Sequence, residues 1–151
     1  MKIITALNKL NINYCHWKSN DKLLENLNKD SDLDILIKSS ERKKFERIMD
    51  NNSFYKVNTD NKYIFHYYGY EGNQILHLHV YYKLITSGKI FKDFNFNNNY
   101  LLSDSEKLKD INVPNPNKEF IFLVARKMFE ISSIFELITF FKEEGLLNEI
   151  K

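Results

Sequence analysis

The segment Asp30-Ser31-Asp32-Leu33-Asp34-Ile35-Leu36-Ile37 sets acids at alternate positions ahead of an apolar run. In a strand, Leu33, Ile35 and Ile37 turn to a core while Asp32 and Asp34 project together on the opposite face. Two strand residues apart, about 6.6 Å, and at an effective dielectric near 20, the carboxylates repel by roughly 2.5 kcal/mol. A divalent cation between them removes that cost, and oxygen donors favour a hard ion such as Mg²⁺ or Mn²⁺. The plainer alternative is two solvated acids at the start of a strand.

Other chemistries use similar letters. Asp30, Asp32, Asp34 and Glu41 match the first, third, fifth and twelfth positions of a calcium loop, but its sixth position needs Gly and here holds β-branched Ile35. Phosphatase and glycosyltransferase D-x-D motifs follow an apolar strand, whereas Asn28-Lys29-Asp30-Ser31 is polar and the apolar run comes afterwards.

A second group lies in Ile75-Leu76-His77-Leu78-His79-Val80-Tyr81. Leu76, Leu78 and Val80 form one face, so His77 and His79 share the other. Each can ligate a divalent metal as neutral imidazole or act as a general base near neutral pH. The alternative is a pair of surface or cleft histidines without catalysis. Glu71 is the nearest spare carboxylate. His77 and His79 with His16 or Cys15 have zinc-type donor atoms, but no C-x-x-C supports a four-ligand site.

The elements that must position these groups read as α+β. A helical stripe of Ile3, Ile4, Leu7 and Leu10 predicts a first helix, and a short strand over Tyr14–Trp17 follows. Asn20 or Asp21 caps a short helix through Leu27, and Asp32–Ile37 is a strand. Ser39 or Ser40 is expected to cap a helix running to about Asp50, with Phe45, Ile48 and Met49 inward. Strands are expected over Phe54–Val57, Tyr63–Tyr70 and Gln74–Leu84, with a hairpin turn at Glu71-Gly72-Asn73. Asn97-Asn98-Asn99 reads as a plain loop in a loosely patterned stretch. Pro114-Asn115-Pro116 introduces a long helix over Asn117–Ile131, and a further helical piece covers Ile134–Glu144. The expected division is a core over 1–116 and a helical segment over 117–151 packed on it.

Ser31-Asp32-Leu33-Asp34-Ile35-Leu36-Ile37 resembles the signature strand of the DNA polymerase beta-type nucleotidyltransferase superfamily. A Gly-Ser pair lies about a dozen residues upstream in that superfamily and helps hold nucleotide phosphates. The chain has Lys18-Ser19 there, within Cys15-His16-Trp17-Lys18-Ser19-Asn20, a stretch similar to one in nucleotidyltransferase-like proteins encoded among bacterial surface-polysaccharide genes. The resemblance implies that Asp32 and Asp34 hold Mg²⁺ or Mn²⁺ against an NTP. It also implies that Lys18 and Ser19 steady the phosphates, and that His77 and His79 stand where a third metal carboxylate is expected, with His79 as ligand or base. Lys127, or its neighbour Arg126, is placed on a helix whose basic residue approaches the triphosphate. The function implied is transfer of a nucleoside monophosphate to an unknown acceptor, in surface-polysaccharide metabolism. The alternative is a nucleotidyltransferase-like module without turnover that binds a nucleotide, a sugar phosphate or a protein.

Composition sets the outer bounds. With 151 residues, 28% charged and 43% hydrophobic, the chain is one domain's worth of sequence. Its 22 Lys+Arg against 20 Asp+Glu leave +2, scattered along the chain, which gives nucleic-acid binding no support. The single cysteine, a brief apolar opening and the lack of a run of roughly 20 apolar residues predict a cytoplasmic protein without a membrane span. Leu146-Leu147 at the end suggests a further domain or partner there.

Overall fold

A computed structural model describes residues 1–20, 23, 32–86, 94–130 and 139. Contacts divide the chain into two units, Met1–Leu84 with Phe96–Glu119, and Ile85–Asn95 with Phe120–Lys151.

The first unit is built on a five-stranded mixed sheet. Its strands are β1 (Tyr14–His16), β2 (Leu33–Ile37), β3 (Tyr55–Val57), β4 (Ile64–Glu71) and β5 (Gln74–Tyr81), in the order β1-β2-β5-β4-β3. Within this sheet β2 and β5 run parallel and the other neighbours antiparallel. The β4–β5 turn is Gly72-Asn73, both at positive φ (60° and 67°). Two left-handed residues make the primed turn whose twist matches a two-residue hairpin; the hairpin is as expected here, but Glu71, expected within its turn, is the last residue of β4 and pairs with Gln74.

One face of the sheet carries the core. Leu33, Ile35, Ile37, Phe65, Tyr67, Leu78 and Val80 alternate inward and meet two helices, α1 (Lys2–Lys9) and α2 (Arg42–Asn51). Helix α1 contributes Ile3, Ile4 and Leu7, and α2 contributes Phe45, Ile48 and Met49, at the spacing of one helical stripe. Leu10, expected on that stripe, is 46% exposed, because α1 stops at Lys9 and Asn11 at φ 50° reverses the chain. Gly69 admits the Phe54 ring; a Cβ there would lie 2.6 Å from it.

Polar side chains tie the elements together in ways the propensities do not show. The expected serine cap of α2 is absent. Ser39–Glu41 instead form a 3₁₀ turn, in which Ser39 Oγ donates to Tyr82 O and Glu41 accepts from Asn13 N–H at 2.7 Å.

The expected strand to Leu84 ends at Tyr81 and resumes as β6 (Leu84–Thr86), which pairs with β7 (Phe94–Phe96). Asn98 holds this break: its Nδ2 donates to Tyr82 O at 2.8 Å and its Oδ1 accepts from Leu84 N–H at 3.1 Å. Asn97–Asn99 is therefore structural and opens α3 (Asn99–Leu102). A second unforeseen piece is the hairpin β8 (Glu106–Leu108) and β9 (Ile111–Val113), which brings Ile111 and Val113 into the core. Its turn is anchored by Asn8 Nδ2, which donates to Asp110 O at 2.7 Å.

The fourth described α-helix, α4 (Pro116–Glu130), begins with Pro at its first position, where no N–H is needed. It continues into the second unit, where Phe122 is buried. The helices expected over Asp21–Leu27 and Ile134–Glu144 lie outside the described residues, apart from Leu23 and Thr139. Among the described residues no helix is long and apolar enough to cross a membrane.

Candidate functional site

The sheet face opposite the helices holds the chemistry. In the β2–β5 register Asp34 lies beside His79, and in the β5–β4 register His79 lies beside His66. One step along, His77 pairs with Tyr68, and Tyr68 with Tyr55. Two rows thus cross the sheet. The first is Asp34, His79 and His66; the second is Asp32, His77, Tyr68 and Tyr55, joined at its head by a side-chain hydrogen bond.

Asp34 is the enclosed acid, with only 14% of its side chain exposed. Its Oδ1 accepts from the Tyr81 hydroxyl at 3.0 Å and lies 3.2 Å from His79 Nδ1, which is itself 2.8 Å from that hydroxyl. Lys18 Nζ stands 3.8 Å from Oδ2. Burial pushes the carboxyl's pKa up, but the His79 hydrogen bond, the Lys18 charge and the Tyr81 hydrogen bond together outweigh it and leave the pKa below its ordinary value. Tyr81 is fixed in turn by Trp17, ring edge to face at 4.9 Å.

Asp32 is the open acid, with 59% of its side chain exposed. Its Oδ1 is 2.5 Å from His77 Nδ1, and His77 Nε2 is 2.8 Å from His66 Nδ1. Tyr68 lies over His77 at 4.4 Å and 4°, and His79 lies against His66 at 4.3 Å; the His66 and His77 rings, 5.0 Å apart and near-parallel, meet through their nitrogens. Burial first, then the neighbouring His79 and His77, hold the His66 pKa below the ordinary imidazole value.

Asp32, Asp34, His77, His79 and Lys18 are therefore brought together. Ser19 follows Lys18 and is exposed, with φ at 56°. A left-handed serine costs roughly 1–2 kcal/mol, and it turns the chain just after Lys18 reaches Asp34.

Lys127 and Arg126 are half-buried on α4 in the second unit. Glu71 serves elsewhere: its carboxylate accepts from Lys2 and Ile3 N–H at 2.5 and 3.4 Å, at the start of α1. Cys15 and His16 are consecutive on β1 and turn to opposite faces, so they do not share a ligand set. His16 is buried against Asn20, its Nδ1 2.6 Å from Oδ1, and burial lowers its pKa despite that bond.

The residue that sequence reasoning overlooked is His66. A signal for it was present. Once Gly72-Asn73 is taken as a two-residue turn, antiparallel counting places His66 opposite His79 and Tyr68 opposite His77.

The two carboxylates have the hard oxygen donors that Mg²⁺ or Mn²⁺ takes. The imidazoles are not equivalent: both nitrogens of His77 are engaged, whereas His79 has only Nδ1 in the hydrogen bonds just described. Among the described residues no three His, Cys, Asp or Glu side chains form a metal-ligand group. Asp32 and Asp34 offer oxygen donors of the kind a hard divalent ion takes, and His77, with both nitrogens engaged, does not fit as a further ligand beside them. No family model, curated protein or solved structure matches the chain.

Proposed function

We propose that this face binds a nucleoside triphosphate with Mg²⁺ or Mn²⁺, and that the chain is a nucleotidyltransferase of the polymerase beta type acting on an unknown acceptor. The observation that carries the reading is the acid pair at the head of β2, each carboxylate held by a histidine of the adjacent parallel strand. An acid strand inside a mixed sheet backed by helices is what that resemblance leads one to expect. A divalent ion, when bound by Asp32 and Asp34, supplies charge neutralisation for the displacement of pyrophosphate. Asp34, pinned by Tyr81 and His79, keeps a fixed carboxylate orientation, and Asp32 offers the accessible oxygen. Lys18 brings a positive charge to within 3.8 Å of Asp34 and is suited to a phosphate.

Calorimetric titration with each common NTP, with and without Mn²⁺, tests this. One NTP should bind only with the metal, and Asp34→Asn should weaken that binding at least tenfold. Equal affinity in Asp34→Asn would sink the metal site.

A second reading, a nucleotidyltransferase-like module that binds without turnover, is favoured by the lack of a three-ligand group among the described residues. NTP binding without pyrophosphate release toward any offered acceptor is its expected signature.

A further inference from the structure

We propose that His66 is a positioning residue. Its Nδ1–H donates to Nε2 of His77, fixing His77 as the Nδ1–H tautomer and aiming that N–H at Oδ1 of Asp32. The assignment follows from donor and acceptor bookkeeping. An ionised carboxylate only accepts, so the 2.5 Å contact between Asp32 and His77 requires a proton on His77 Nδ1. With His77 neutral, its Nε2 is then bare and must accept, whereas a doubly protonated ring would donate from both nitrogens. The group facing it at 2.8 Å is His66 Nδ1, which must therefore donate.

The chain His66, His77, Asp32 runs diagonally across three neighbouring strands. It is clamped by rings on both sides, Tyr68 against His77 and His79 against His66. Stacking fixes the ring planes, so the hydrogen-bond directions are fixed with them.

The consequence is a division of labour between two histidines of one strand. With one nitrogen on Asp32 and the other on His66, His77 offers no lone pair to a metal or a proton. It acts only on the carboxylate, presenting the far oxygen of Asp32 outward, where the side chain is 59% exposed. His79 keeps a nitrogen outside these bonds. The proposal shares with the function reading the role of Asp32 as the ligand-facing group and rests on it in that respect, but the tautomer itself does not depend on turnover.

Long-range ¹H–¹⁵N correlation spectra of the ¹⁵N-labelled chain near neutral pH read the tautomer directly. His77 should show a protonated Nδ1 and a bare Nε2, and added Mg²⁺ should leave that pattern unchanged. His66→Ala should lose the fixed pattern. His66→Asn, whose amide N–H stands where Nδ1 stood, should restore it, with the backbone amide spectrum reporting an intact fold.

An Nε2–H tautomer or a doubly protonated His77 in the unaltered chain, or a His77 nitrogen moving to metal-bound values with Mg²⁺, would overturn the proposal without any variant. An unchanged pattern in His66→Ala would do the same. If no NTP binds by calorimetry while the tautomer holds, the nucleotidyltransferase reading fails and the positioning chain stands.

Discussion

The two faces of the five-stranded sheet are written by the same strands and are physically opposite. On β2, Leu33, Ile35 and Ile37 are buried against α1 and α2, while Asp32 and Asp34 on the other side hold hydrogen bonds to His77, His79 and Tyr81. On β5, Leu78 and Val80 are core and His77 and His79 are site. The helix-covered face is stabilised by apolar area removed from water; the open face is organised by directional contacts among charged and aromatic groups. Alternation therefore lets one strand serve stability and chemistry at once, and substitutions should separate the two.

The largest expected effect is on the covered face. Phe45 is fully buried and meets Tyr67 edge to face at 5.7 Å, so Phe45→Ala should cost about 3–5 kcal/mol in denaturant unfolding. The His77 tautomer should survive in the folded fraction; its disappearance there would show the faces to be coupled. A smaller loss, roughly 1–3 kcal/mol, is expected from Gly69→Ala, because the new methyl must displace the buried Phe54 ring. An unchanged unfolding midpoint would mean the ring has room to move.

The smallest effect is in the pH dependence. His16 and His66 both have folded pKa values below the ordinary 6.5. Between the folded and unfolded values only the unfolded chain binds the proton, so their contribution is complete above about pH 6.5 and is lost as pH falls through the folded values. Asp34, also lowered, adds a loss in the same direction below its ordinary 3.8. Unfolding midpoints measured from neutral pH down to about pH 5 should fall, and His16→Gln should flatten the decline. Identical slopes in the two proteins would remove His16 from the account.

Much of the covered face was legible because period alone writes it. The stripes of α1 and α2, the alternation of β2 and β5, and the hairpin at Glu71-Gly72-Asn73 are all local patterns. The stretch from Leu84 to Val113 was not legible, since its short strands and one-turn helix carry too few residues to show a period. They are held by long-range side-chain bonds such as Asn98 to Tyr82 and Leu84, and Asn8 to Asp110. Leu10 failed for the same kind of reason: the left-handed Asn11 ended the helix before the pattern did.

On the face that carries the site, the sequence by itself determined that Asp32 and Asp34 share a side of one strand, that His77 and His79 share a side of another, and that a hairpin turn joins the strand of His79 to the one before it. Each follows from backbone periodicity or from a tight turn, which act over a few residues. Only the tertiary structure decided that β2 lies parallel to β5 in the register that puts Asp34 against His79 and Asp32 against His77. A parallel pair has no turn to set its register. The alignment of residues 45 positions apart is selected by the packing of both strands' apolar sides on α1 and α2.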